Sequence, residues 1–84
     1  MKTINDLVNK LNIFFGYGDF YIEKDDEMNS YTLCIKYLGS HDGLVEFDKE
    51  YKDWIVEPKF GLVPAEIQKD IMDFIYTTDS NHWF

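Results

Sequence analysis

Apolar side chains first recur at helical spacing, with Ile4, Leu7, Val8, Leu11, Phe14 and Phe15 forming one stripe and Lys2, Asn5, Asp6, Asn9, Lys10 and Asn12 filling the other side. The period predicts a helix from Thr3 to Phe15. Thr3 stands where a helix takes its cap, and Asp6, three residues on, completes a capping box. Gly16 supplies the residue that readily turns left-handed after a helix.

Beyond Gly18 the period changes to two. Phe20 and Ile22 alternate with Tyr21 and Glu23, so Asp19 to Lys24 reads as a strand. Tyr31, Leu33, Ile35 and Tyr37 alternate with Thr32, Cys34, Lys36 and Leu38 in a second strand. The polar run Asp25 to Ser30 joins the two, and Gly39 to Gly43 reads as the next turn. A third strand follows, with Val45 and Phe47 on its apolar side. Asp48 to Lys52 turns the chain again, and Trp54 to Glu57 is a fourth strand that stops at Pro58. Connections this short require antiparallel pairing, because a parallel crossover needs about a dozen residues or more.

Pro64 suits the start of a closing helix, with Glu66 in its first turn. Ile67, Ile71, Phe74 and Ile75 make its apolar stripe, and Glu66, Asp70 and Asp73 line the far side. The expected fold is α+β and two-layered, a four-stranded antiparallel meander with two helices on one face, in the order α-β-β-β-β-α. Residues 1–84 are expected to form a single domain. The outer face of the sheet would then carry Tyr21, Glu23, Thr32, Cys34, Lys36, Leu44, Glu46, Asp48, Ile55 and Glu57.

Composition narrows the function classes. The chain is 45% hydrophobic and 18% aromatic, too apolar for a disordered segment despite a net charge of -8. There are 16 acidic residues against 8 basic ones, all of them lysine. With a pI near 4.4, direct contact with nucleic-acid phosphates or an anionic membrane is disfavoured, and a charged partner should be basic. One cysteine makes no internal disulfide, the first helix lacks the features of a signal peptide, and no apolar run could span a bilayer, so a cytoplasmic location is expected. Lysine without arginine, beside abundant Asn, Ile, Tyr and Phe, is the usage of a low-GC bacterium or its phages.

No stretch of the chain carries a catalytic or metal-binding signature. Asp25 to Ser30 opens like a calcium loop, but an EF-hand needs glycine at its sixth position and glutamate at its twelfth, where Ser30 and Lys36 stand. Cys34 with His41 and Asp42 contains the residue types of a thiol nucleophile, yet nothing beside Cys34 except Lys36 would lower its pKa. Gly16-Tyr17-Gly18 follows a helix and faces its carbonyl pole, the wrong end for phosphate. His82 is a lone histidine. No catalytic residue, metal or cofactor is expected, and a non-enzymatic binding protein is the favoured class.

The acids are the remaining feature. Glu46, Asp48, Glu50 and Asp53 surround the third turn, Glu66, Asp70 and Asp73 follow the last helix, and Asp25, Asp26 and Glu27 sit at the first turn. The plain explanation is a soluble domain kept apart by charge. The sharper one is an acidic surface that stands in for phosphates, with Tyr51 and Tyr76 as aromatic anchors. Small size, acidity and the stretch Leu44-Val45-Glu46-Phe47-Asp48-Lys49-Glu50-Tyr51-Lys52-Asp53-Trp54, closed after Pro58 by a short helix, resemble accessory proteins of phages that infect Gram-positive bacteria. Anti-CRISPR inhibitors are among these. The resemblance implies an inhibitor that occludes a basic nucleic-acid-binding surface of a Cas nuclease in the host cytoplasm, and it carries over no functional residue. The alternative is a self-associating structural or adaptor module, in which Tyr21, Cys34, Leu38, Leu44 and Ile55 of the outer sheet face pair two copies. Monomer and homodimer both remain open at this level. The aromatic terminus His82-Trp83-Phe84 either folds onto the core or is offered to a partner.

Overall fold

The computed structural model describes residues 3–78, so the terminal His82, Trp83 and Phe84 lie outside the described residues. The elements are α1 (Ile4–Phe14), β1 (Asp19–Asp25), β2 (Ser30–Tyr37), β3 (Ser40–Asp48), β4 (Asp53–Val56), a 3-10 turn (Pro58–Leu62) and α2 (Ala65–Thr77). The strands form one antiparallel meander in the order β1-β2-β3-β4. The α+β architecture anticipated from the periodicity is present.

Helix α1 starts where its cap directs. The Thr3 side chain accepts from the Asp6 backbone N–H, and the Asp6 carboxylate accepts from the Thr3 N–H. Gly16 follows with φ of 55°. Ile4, Leu7 and Leu11 are buried, with Val8 and Phe15 packed beside them. Phe14, expected in that stripe, is 74% exposed. At about 100° per residue it lies within roughly 20° of the fully buried Leu7, so its exposure comes from its place as the last residue of the helix, past the end of the core.

Ile67, Ile71 and Phe74 of α2 join the α1 residues in one core with Phe20, Leu33, Ile35, Val45 and Phe47 of the sheet. Those sheet residues share one face, so both helices cover the same side and leave the other side bare. The core is completed by Phe60 and Val63, from a 3-10 turn that the alternation does not reveal.

Two details of β3 depart from the expected pattern. The turn into it is not Gly39 to Gly43 but the two residues Leu38 and Gly39, with φ of 50° and 83°, and β3 already begins at Ser40. Positive φ at both positions is the mirror-image hairpin turn that matches strand twist. For Leu38, expected as the end of β2, the left-handed conformation costs about 1–2 kcal/mol. Further along, the register shifts by one residue, Cys34 facing Gly43 but Leu33 facing Val45. The extra residue is Leu44. This bulge turns Leu44 from the outer face, where strict alternation puts it, into the core, so Leu44 and Val45 are both fully buried.

The free edge of β1 is tied to α1 by a side chain. Asn12 donates from Nδ2 to the Phe20 carbonyl at 3.0 Å and accepts the Phe20 N–H on Oδ1 at 2.7 Å. One amide thus replaces a neighbouring strand at that position, and blunts the edge against pairing with another chain.

Candidate functional site

The register sorts the bare sheet face into rows. Asp19, Lys36 and His41 form the first row, and Tyr21, Cys34 and Gly43 the second, with the Glu57 side chain beside Gly43. Glu23, Thr32, Glu46 and Ile55 form the third, and Asp25, Ser30, Asp48 and Asp53 the last. Acidity therefore rises along the face, from a row with a lysine and a histidine to a row with three aspartates. Rows lie about 7 Å apart along a strand, within the ~8 Å screening length of physiological salt, so neighbouring rows act as one field.

The turns at that acidic end add to it. In a meander the β1–β2 and β3–β4 turns fall at the same end of the sheet, and here the Lys49 N–H donates to the Asn29 carbonyl at 3.0 Å, joining them. Asp25 Oδ1 accepts the Met28 N–H, and Asp48 Oδ1 accepts the N–H groups of both Glu50 and Tyr51. These side-chain turns hold Asp26 and Glu27 in one loop and Glu50 and Tyr51 in the other. Tyr51 is 76% exposed and Met28 is also exposed, so each loop offers an apolar group among acids. Three lysines interleave: Lys24 pairs with Asp26 at 3.5 Å, Lys49 lies over the Tyr31 ring, and Lys52 ends the second turn with φ of 54°. Asp48 and Asp53 stand directly opposite each other, an arrangement that costs stability.

The fold thus brings together the acids predicted at the first and third turns, namely Asp25, Asp26, Glu27, Glu46, Asp48, Glu50 and Asp53, with Tyr51. It does not bring the last helix to them. Glu66, Asp70, Asp73 and Tyr76 belong to α2 in the opposite layer. There Lys10 of α1 holds Asp70 at 3.1 Å, and Lys69 faces Asp73 at 3.7 Å. Tyr76 is exposed on that helix.

Cys34 sits in the middle of the bare face yet is only 3% exposed. Its thiol lies 3.8 Å from Glu23 Oε2 and 3.6 Å from the Thr32 carbonyl. Burial first, and the Glu23 charge second, push the thiol up to about 11, so at neutral pH it is protonated and weakly nucleophilic. His41 does not reach Cys34; its Nδ1 meets the Tyr21 hydroxyl at 2.9 Å. Among the described residues no group of three or more His, Cys, Asp or Glu is arranged to hold a metal ion, and no helix is long and apolar enough to cross a membrane.

The outer face also differs from the apolar patch that two-fold pairing would need. Leu44 has turned inward and Leu38 has moved to the hairpin tip. Tyr21 and Ile55 remain among acids. Comparison with protein-family models, with curated proteins and with solved structures finds no match for this chain.

Proposed function

We propose that this chain is a non-enzymatic, acidic protein-binding inhibitor whose acidic end occupies a basic nucleic-acid-binding surface on a partner protein. The observation that supports the reading is the convergence of two acidic turns and the two most acidic sheet rows at one end, with Tyr51 exposed among them. Carboxylates spaced by the strand repeat present negative charge at intervals close to those of a phosphate backbone, and a basic groove built for phosphates attracts them by the same forces. Glu46, Asp48, Glu50 and Asp53 supply the charge, and Tyr51 is the anchor that a purely solubilising surface has no need to expose.

The resemblance to phage accessory proteins supplies a concrete partner class, a Cas nuclease in the bacterial cytoplasm, which makes the chain an anti-CRISPR. Such an effector reads a short duplex motif with arginines and holds nucleic acid in basic channels, so an acidic domain seated there blocks recognition before cleavage. Binding of the purified chain to guide-loaded Cas effectors is the test, measured by calorimetry across a salt series beside a DNA-cleavage assay. Affinity should fall steeply with salt, DNA should compete, and Glu50→Lys with Asp53→Lys should slow association. Absence of both binding and protection of target DNA removes the anti-CRISPR reading. Binding that charge reversal at Glu50 and Asp53 leaves unchanged removes the acidic end as the contact surface.

A further inference from the structure

The opposite end of the sheet carries different chemistry. Leu38, at the tip of the β2–β3 hairpin, is 87% exposed while held at φ of 50°. Turns of this kind favour Asn, Asp or Gly at that position, so the chain holds a strained leucine out in water where a cheaper residue would serve the turn. Beside it opens a hollow of about 210 Å³. Buried Ile35, Leu44 and Val63 line it, and Tyr17 and Tyr37, stacked at 4.6 Å between centroids and 5° between planes, wall it. A dry cavity of about 150 Å³ takes a benzene molecule, so this one has room for an isobutyl group.

Two further hollow-lining residues carry opposite charges, Asp42 and Lys59. Among the described residues neither closes an ion pair. Knob, hollow, acid and base all lie together at one end of one chain, which is what a self-complementary surface requires: under a two-fold axis each feature meets its complement on the other copy.

We propose that the occupant of the hollow is Leu38 of a second copy of this chain, exchanged reciprocally, with Asp42 of each copy facing Lys59 of the other. This homodimer differs from pairing through the outer sheet face, because it uses the hairpin end and leaves the bare face open. The acidic loops lie at the far ends of the same strands, so the dimer carries two acidic ends directed away from its axis.

Sedimentation velocity from micromolar to millimolar concentration tests the pairing. The wild-type mass should climb from 10.0 kDa toward twice that value. Leu38→Asn should weaken the dimer about tenfold or more through lost apolar burial. It should also leave the thermal midpoint of the monomer unchanged or raised, because asparagine accepts the left-handed turn. Asp42→Lys and Lys59→Asp should each be monomeric alone, since each sets like charges against each other twice across the axis. Mixing the two variants should restore the dimer, because both contacts then become opposite-charged. A wild-type mass of 10.0 kDa at every concentration overturns the proposal. So does a dimer indifferent to Leu38→Asn, or a mixture of the charge variants that stays monomeric.

Discussion

Asn12 offers the sharpest test of how the two layers are joined. Its side-chain amide makes both an accepted and a donated bond to the backbone of Phe20, at 2.7 Å and 3.0 Å. Each such bond contributes about 0.5–1.5 kcal/mol net, so Asn12→Ala removes about 1–3 kcal/mol if water replaces neither. Asn12 is itself exposed, and water reaches the freed groups, which moves the expectation to about 1–2 kcal/mol. A domain of this size has a total stability of roughly 5 kcal/mol, so the loss is a large fraction of it. The thermal midpoint should fall by roughly 5–15 °C, at about 4–8 °C per kcal/mol. Urea unfolding followed by tryptophan fluorescence measures the change, with an unchanged slope showing that the native state keeps its compactness. Hydrogen exchange adds a local readout: the Phe20 amide should lose protection while the paired amides between β2 and β3 follow only the global change. Asn9→Ala, on the exposed side of the same helix, should stay within about 0.5 kcal/mol of wild type. Wild-type stability in Asn12→Ala together with an equally protected Phe20 amide would refute the view that this one side chain substitutes for a strand.

Other outcomes follow from the bulge and from the titrating groups on the bare face. Leu44→Ala should cost about 2–5 kcal/mol, a large share of the total, and lower the thermal midpoint by roughly 10 °C or more, as read by the near-ultraviolet circular dichroism of its aromatic core. Alkaline stability should fall as pH rises from about 9 toward about 11, because burial raises the folded-state pKa of Cys34 from 9.0 to about 11. In that window the unfolded chain has released a proton that the native chain still holds, so each step up in pH favours unfolding. Tyr21, raised from 10.0 mainly by burial, acts in the same direction. Cys34→Ala should flatten the slope, measured by urea midpoints at pH 8 and 10.5; an unchanged slope would mean that Cys34 does not drive it.

The helices and the strand faces were legible because their signals are local and agree. Thr3 and Asp6 mark a start and Gly16 a stop, and the switch from period three-and-four to period two falls at Gly18. The bulge escaped because alternation assumes an unbroken register; adjacent Leu44 and Val45, both large and apolar, were the one hint that two consecutive residues face inward. The hairpin tip was misplaced because Gly39, Ser40, His41, Asp42 and Gly43 all tolerate turns, and the choice of Leu38 with Gly39 was made by strand pairing across the sheet. For the site, the clustering of the first-turn and third-turn acids is a consequence of meander topology, in which alternate turns share an end. The same topology separates Glu66, Asp70 and Asp73 from them, since α2 crosses the other face. The hollow at the hairpin end depends on the 3-10 turn placing Lys59, Leu62 and Val63 beside Tyr37, and no periodicity in the chain announces that.

Cys34 is shielded from water by no second layer, only by the side chains around it on an otherwise open sheet, among them Tyr21 and Glu23. A thiol in that position is a built-in footprinting probe. Any partner that settles across the rows of the sheet must slow its alkylation at alkaline pH, whereas two copies joined at the hairpin end leave the rate as it is in the free chain. The one cysteine therefore lets a single mass-spectrometric time course report whether the bare sheet face is covered, without introducing a label anywhere else.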